Sequence, residues 1–125
     1  MLHILVVDDD RDTTEAMRIL LKLWGFVVLT ANTGAGAVKA ADIFPPDVVL
    51  LDLGLPGMDG LAVARQIRQF GGKQPVIIAI SSHGQDEDRR RAREAGCDHF
   101  LLKPLDPDEL KTLLQALEAV RHPHA

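Results

Sequence analysis

The sequence is short of several residue types that would place it in other protein classes. It contains one cysteine, one tryptophan and no tyrosine, and aromatic residues make up 4% of its 125 residues. The single cysteine, Cys97, excludes an internal disulfide bond and is typical of a reducing compartment. With so few aromatic rings, aliphatic side chains must fill most of a core, and a hydrophobic fraction of 46% supplies enough of them.

Long apolar runs and excess positive charge are also lacking. No apolar run approaches the roughly 18 residues that a membrane span needs, and the acids at 8–10 interrupt the apolar N-terminus before it could form a signal peptide. The net charge of −4 argues against non-specific nucleic-acid binding, which depends on a basic surface. We therefore expect a soluble cytoplasmic protein that contacts neither a membrane nor nucleic acid directly.

Apolar segments alternate with helix-like segments along the chain, which predicts an α/β fold. The predicted strands are residues 3–7, 26–30, 48–51, 76–80 and 100–102, and the predicted helices are residues 13–24, 34–44, 60–69, 86–95 and those from 107 onward. This alternation implies a parallel sheet with helices on both faces and right-handed crossovers, although the pattern leaves the strand order open. The length fits one domain, predicted over residues 1–121, with a C-terminal tail at residues 122–125.

Polar residues follow four of the predicted strands. The strand 48–51 does not alternate with polar residues, so we expect it to be buried on both faces, yet Asp52 follows it directly. An ionised group at such a position needs partners. Because open α/β sheets bind ligands at the carboxyl ends of their strands, the polar residues that follow the strands should form one site. These residues are Asp8, Asp9, Asp52, Ser81 and Lys103.

This set of side chains suits a divalent cation and a phosphoryl group. Clustered carboxylates at Asp8, Asp9 and Asp52 would repel one another unless a cation intervenes. Mg²⁺ takes oxygen ligands and is commonly held by one or two carboxylates together with a phosphate. Lys103 and the Ser81 hydroxyl would complement phosphoryl oxygens. A carboxylate can itself act as the nucleophile and form an aspartyl phosphate.

In this order and spacing, the motifs resemble the receiver domain of two-component response regulators. The resemblance includes Asp8-Asp9, Asp52 with Leu-Gly-Leu-Pro-Gly-Met-Asp-Gly behind it, Ser81, and Lys103-Pro104, and it covers essentially the whole chain. It implies a flavodoxin-like, doubly wound five-stranded parallel sheet of order 2-1-3-4-5 with five helices. It also implies a signalling phosphoacceptor whose chemistry is limited to its own phosphorylation and dephosphorylation.

The resemblance further implies the ligands of the metal and the source of the phosphate. Asp52 would take a phosphoryl group from the phosphohistidine of a histidine kinase, which could be a separate protein or the kinase part of the same chain. Asp9, Asp52 and the backbone carbonyl of Gly54 would ligate Mg²⁺, and Asp8 would act mostly through a water molecule.

Three further residues acquire roles from the same resemblance. Ser81 would move onto the phosphoryl group, Lys103 would pair with it, and Phe100 would occupy the aromatic switch position. The Lys103–Pro104 bond would be cis. Phosphorylation would then change the face formed by the helix 86–95, the last strand and the final helix, where a downstream protein or effector domain would bind.

Two other function classes compete with this interpretation. Asp10-Arg11-Asp12-Thr13-Thr14 fits the Asp-x-Asp-x-Thr pattern of haloacid-dehalogenase-type phosphatases, which also use Mg²⁺ and an aspartyl phosphate. A flavin or nucleotide binder on the same fold is disfavoured, because three acids would repel a phosphate bound without a metal. We expect no DNA-binding domain within this length, so the chain would be a stand-alone receiver or one domain of a hybrid kinase or longer regulator.

Overall fold

The computed structural model describes residues 1–55 and 59–121. In this part of the chain, strands and helices alternate without exception. The strands are β1 (His3–Val7), β2 (Val27–Ala31), β3 (Val48–Asp52), β4 (Val76–Ser81) and β5 (His99–Leu102). The helices are α1 (Arg11–Leu23), α2 (Gly34–Ile43), α3 (Gly60–Arg68), α4 (Asp86–Glu94) and α5 (Pro107–Arg121). The middle of the loop after β3 and the predicted tail at 122–125 lie outside the described residues.

The strands form one parallel sheet in the order β2-β1-β3-β4-β5. This order, with the five helices, confirms the predicted doubly wound, flavodoxin-like fold. All five residues of β3 are buried, as expected for a central strand that is covered on both faces. Because the strands are parallel, their carboxyl ends share one edge of the sheet, where Asp52 lies opposite Ile80 of β4.

Helices cover both faces of the sheet and create two hydrophobic cores. One core joins the sheet to α1 and α5, to which Leu21, Leu110 and Leu114 contribute fully buried side chains. The other core joins it to α2, α3 and α4 through small or branched side chains such as Ala37 and Val63. Burial of these aliphatic side chains is the main source of stability in a chain with so few aromatic residues.

Several element boundaries differ from the sequence prediction by one or two residues, and the start of α1 and the position of β2 are examples. Helix α1 begins at Arg11, two residues before the predicted start, because the Asp10 carboxylate accepts hydrogen bonds from the N–H groups of Asp12 and Thr13 and so caps the helix earlier. Strand β2 runs from Val27 to Ala31, one residue later than predicted, in register with β1.

Side-chain caps begin other helices as the sequence predicts. The Asp59 side chain accepts the N–H of Ala62 at 2.7 Å at the start of α3, and the Asp106 side chain accepts the N–H of Asp108 at 2.9 Å at the start of α5. Among the helices that the structure describes, none is both long enough and apolar enough to cross a membrane.

Candidate functional site

Three carboxylates meet at the carboxyl edge of the sheet. Asp8 and Asp9 follow β1, and Asp52 is the last residue of β3. One carboxylate oxygen of each lies within 4.8 Å of the other two. Asp8 and Asp52 are buried, whereas Asp9 is exposed to solvent. The structure therefore brings together the three acids that the sequence predicts as metal ligands, on the wall of one cleft.

The negative charge of the three carboxylates is not fully compensated by nearby positive charge. Burial raises the pKa of the Asp8 carboxyl above its ordinary value, and the charge of Asp52 raises it further. The Asp10 N–H, which donates to Asp8 Oδ1 at 3.0 Å, and the charge of Lys103 act in the opposite direction but do not cancel the rise. The cluster thus lacks positive charge, and a hard cation with oxygen ligands would supply it.

Both carboxylate oxygens of Asp52 have a hydrogen-bond donor. Lys103 Nζ lies 3.1 Å from Oδ2, and the backbone N–H of Gly54 donates to Oδ1 at 2.9 Å. The Asp52 residue is 5% exposed, whereas the Lys103 side chain remains 37% exposed. Lys103 follows β5, and the Lys103–Pro104 peptide bond is cis. Gly54 thus contacts Asp52 through its N–H, while the role of its carbonyl as a metal ligand stays a prediction.

The two serines at the end of β4 have different surroundings. Ser81 is 9% exposed, and its Oγ accepts the backbone N–H of His83 at 3.0 Å, within the loop that follows the strand. Ser82 is exposed and lines the same cleft as Asp52 and Lys103. The sequence predicts a site role for Ser81 and none for Ser82.

A polar pair that the sequence does not predict holds the loop carrying the acids. Asn32, just after β2, donates through Nδ2 to the backbone carbonyl of Asp8 at 2.9 Å and to Thr14 Oγ1 at 3.0 Å. Thr14 is 3% exposed, and its hydroxyl donates to the carbonyl of Arg11. Asn32 therefore fixes the main chain between β1 and α1. The available signal was its position at the end of a strand, at the same edge of the sheet as the acids.

A close backbone approach explains the glycine that begins α3. A Cβ atom at Gly60 would lie 2.6 Å from Leu53 Cα and 2.8 Å from the carbonyl oxygen of Asp52. No side chain fits at that separation, so glycine permits α3 to begin directly against the backbone of the residue that would carry the chemistry.

Phe100 lies on β5, opposite Ala79 of β4 and three residues before Lys103. Its ring is half-buried and packs against the core that faces α2, α3 and α4. The exposed side chain of Arg89, on α4, covers the ring with its Cζ atom 4.8 Å from the ring centroid.

Side chains of the phosphatase-like pattern at residues 10–14 form hydrogen bonds with the backbone of α1. The Asp10 carboxylate caps the helix, and the Thr14 hydroxyl is bonded inside its first turns. Asp8, rather than Asp10, directly follows β1. The acids that meet Asp52 are therefore Asp8 and Asp9, which lie outside that pattern.

Comparison with known proteins gives one consistent family. The profile described as the response regulator receiver domain matches residues 4–115. The transcriptional regulatory protein KdpE of Mycobacterium tuberculosis is 42% identical over 116 residues, which are 93% of this chain and 50% of KdpE. PhoP of Bacillus subtilis, an alkaline phosphatase synthesis transcriptional regulatory protein, is 32% identical over 114 residues, which are 91% of this chain and 47% of PhoP.

Solved structures agree with this result. The receiver domain of sensor histidine kinase PA1611 from Pseudomonas aeruginosa, which has a magnesium ion coordinated in its active-site cleft, is 32% identical with a TM-score of 0.82, covering 93% of this chain and 96% of that domain. A CheY-like response regulator receiver domain from Methylobacillus flagellatus is 30% identical with a TM-score of 0.83, covering 94% of this chain and 99% of that one.

The chain spans about half the length of the curated relatives that it matches. Within that half, the profile match, the relatives and the sheet order agree along nearly the whole sequence. The chain therefore belongs to the response regulator receiver domain family, the signalling domains of two-component systems.

Proposed function

We propose that Asp52 is the phosphoacceptor and that the domain takes a phosphoryl group from the phosphohistidine of a histidine kinase. The observation that carries this proposal is the meeting of Asp8, Asp9 and Asp52, with Lys103 Nζ 3.1 Å from Asp52 Oδ2. Three acids and one cation from strand ends that are far apart in sequence have no evident need to converge for folding alone. They do match the requirements of phosphoryl transfer to a carboxylate, which needs positioning and charge neutralisation.

The transfer exchanges one bond for another. A carboxylate oxygen of Asp52 attacks phosphorus in line with the bond between phosphorus and the donor imidazole nitrogen, and that bond breaks as the new O–P bond forms. The imidazole nitrogen keeps the electron pair and takes up a proton from solvent. Lys103 attracts the phosphoryl oxygens, and the Ser81 hydroxyl turns from the His83 N–H to donate to one of them.

The donor set at this edge fits Mg²⁺. Asp8 and Asp9, together with Asp52 and the carbonyl of Gly54, would hold the ion, with Asp8 contributing mostly through water. The raised pKa of the Asp8 carboxyl supports this assignment, because it reflects a buried acid beside a second acid with too little opposing charge. When bound, the ion would neutralise charge on the phosphoryl oxygens and orient them.

Output would pass through the face formed by α4, β5 and α5. Phosphorylation would shift a two-state equilibrium at this face, with Ser81 and Phe100 as its moving side chains. The named transcriptional regulators among its relatives suggest an effector domain as the partner, and the sensor-kinase receiver suggests a hybrid kinase. In either arrangement we infer a domain that works in the cytoplasm and leaves nucleic-acid contact to its partner.

Mass spectrometry after incubation with acetyl phosphate and Mg²⁺ tests the proposal. We expect the wild-type chain to gain one phosphoryl group, Asp52→Asn to gain none, and the matched control Asp42→Asn, which changes an exposed acid on α2, to behave as wild type. Omission of Mg²⁺ should abolish the gain. Phosphorylation of Asp52→Asn to the wild-type extent would refute the assignment, and sustained release of phosphate from a phosphomonoester would favour a phosphatase instead.

A further inference from the structure

Arg89 makes two contacts that join separate elements. Its Cζ atom lies 4.8 Å from the centroid of the Phe100 ring, and its Nε–H donates to the carbonyl oxygen of Gly84 at 3.1 Å. A guanidinium over an aromatic face is attracted by the ring quadrupole, and its hydrogen bond to a carbonyl is charge-assisted. One side chain of α4 thus ties β5 to the loop between β4 and α4.

That loop begins at the candidate switch hydroxyl. Ser81 Oγ accepts the N–H of His83 at 3.0 Å, and Gly84 is the next residue. Gly84 lies tightly against β5, since a Cβ atom there would be 2.4 Å from Leu102 Cδ2. A continuous series of contacts therefore runs from the Ser81 hydroxyl through the loop backbone to Arg89 and the Phe100 ring.

The neighbouring arginines differ from Arg89 in their partners. Arg90 pairs with Glu87 at 2.6 Å and with Glu94 at 2.7 Å, and Arg91 pairs with Glu87 at 3.2 Å, all within α4. The Arg89 contacts given above instead leave the helix for the loop and for β5. The arginine run thus contains one residue placed to couple elements and two that pair along the helix surface.

We propose that Arg89 is a latch that holds Phe100 and the β4–α4 loop in the unphosphorylated arrangement. This inference rests on the proposed function, because it assumes that Ser81 turns toward a phosphoryl group on Asp52. Rotation of Ser81 removes Oγ from the His83 N–H and frees one end of the loop, while the bond from Arg89 to Gly84 restrains the other end. A contact made in one arrangement alone biases the equilibrium by its own free energy, which for a solvent-exposed cation–π pair amounts to about two- to fivefold.

Binding of beryllofluoride with Mg²⁺, a mimic of the phosphoryl group, tests the latch. We compare wild type with Arg89→Gln, with Arg89→Lys, and with Arg91→Gln as the matched change on the same helix. Arg89→Gln should bind the mimic about two- to fivefold more tightly than wild type, because the free state loses a contact that the bound state does not make. Arg89→Lys keeps the charge but cannot both cover the ring and donate to Gly84, so its affinity for the mimic should lie between those of wild type and Arg89→Gln. Arg91→Gln should bind the mimic as tightly as wild type.

A second readout uses the free protein. The NMR signals of the Phe100 ring, assigned with the help of Phe100→Leu, should shift in Arg89→Gln and stay in place in Arg91→Gln. Identical Phe100 signals in wild type and Arg89→Gln would overturn the latch. If wild type binds the mimic while Arg89→Gln binds it equally or more weakly, the latch fails and the proposed function stands. If wild type does not bind the mimic at all, both proposals fail.

Discussion

Lys103 Nζ and Asp52 Oδ2 lie 3.1 Å apart, although 51 positions separate the two residues in sequence. Their strands are not neighbours, because β4 lies between β3 and β5. Lys103 crosses the end of β4, where its backbone N–H donates to the carbonyl of Ser81 at 2.9 Å. The ion pair therefore depends on the strand order, and it joins three strand ends into one site.

Replacement of Lys103 by methionine tests the importance of this ion pair. Lys103→Met keeps most of the side-chain length but leaves the buried Asp52 carboxylate without its ammonium partner. We expect the rate of phosphorylation by acetyl phosphate to fall about 100-fold, the magnitude typical of losing one electrostatic stabiliser of a transition state. Time-resolved mass spectrometry measures the rate, with Lys111→Met on α5 as the control. A rate within about threefold of wild type would show that the Lys103 ammonium group does not stabilise the transition state of phosphorylation.

The raised pKa of the Asp8 carboxyl predicts a pH-dependent cost to stability. A folded-state pKa above the unfolded value means that the ionised form is disfavoured in the fold, so stability falls as pH rises from the ordinary aspartate range through the raised pKa. Without metal, Asp8→Asn should therefore be more stable than wild type near pH ~7, and the difference should shrink toward pH ~4.

Urea unfolding with and without saturating Mg²⁺ measures both parts of this prediction. Mg²⁺ should stabilise wild type more than Asp8→Asn, because a ligand that binds the folded state stabilises it according to its affinity. Asp42→Asn, far from the cluster in sequence and exposed on α2, serves as the control. If Asp8→Asn were less stable than wild type in metal-free buffer near pH ~7, the carboxylate would not be a source of repulsion.

The fold could be predicted from the sequence because its signals are local. The unbroken apolar run at 48–51 indicated a buried central strand, and Asp59 and Asp106 indicated helix starts that the structure confirms. The start of α1 was misplaced because three consecutive acids at 8–10 offer several alternative caps. The backbone geometry that selects Asp10 depends on the hydrogen bond from its own N–H to Asp8, which the pattern does not reveal.

The candidate site was predictable where a residue directly follows a strand and less so where it acts through the backbone. Asp8, Asp52 and Lys103 could be recognised because an acid or a lysine at a strand end is conspicuous. Asn32 was missed because its contribution is a pair of hydrogen bonds, to Asp8 and Thr14, that exist once β2 lies beside β1. Contacts of this kind arise from tertiary packing and are not reflected in the spacing of residues along the sequence.

Gly60 predicts a steep cost for a single added methyl group. Gly60→Ala would place Cβ 2.6 Å from Leu53 Cα and 2.8 Å from the Asp52 carbonyl oxygen, and neither backbone atom can move without displacing the end of β3. We expect a loss of about 2–3 kcal/mol in the free energy of unfolding, at the upper end of the range for overpacking. Gly71→Ala is the matched control, because a Cβ atom there has nothing within 4 Å. Equal unfolding midpoints for the two variants would disprove the steric argument.

The Cys97 thiol provides a probe of global opening. Burial raises its pKa to about 11, although the charge of Arg68 acts in the opposite direction. Because the thiolate is the reactive form, the folded protein should resist alkylation near pH ~8, and the reaction should follow the rate at which the chain opens. In the unfolded chain the Cys97 thiol ionises near its ordinary pKa of about 8.5, whereas in the folded protein it ionises near about 11. The free energy of unfolding should therefore fall as pH rises from the first value toward the second, and Cys97→Ala should remove this dependence on pH. Alkylation rates across a urea series measure the accessibility, and rapid labelling of Cys97 in the absence of denaturant would show that the thiol is exposed by local motion.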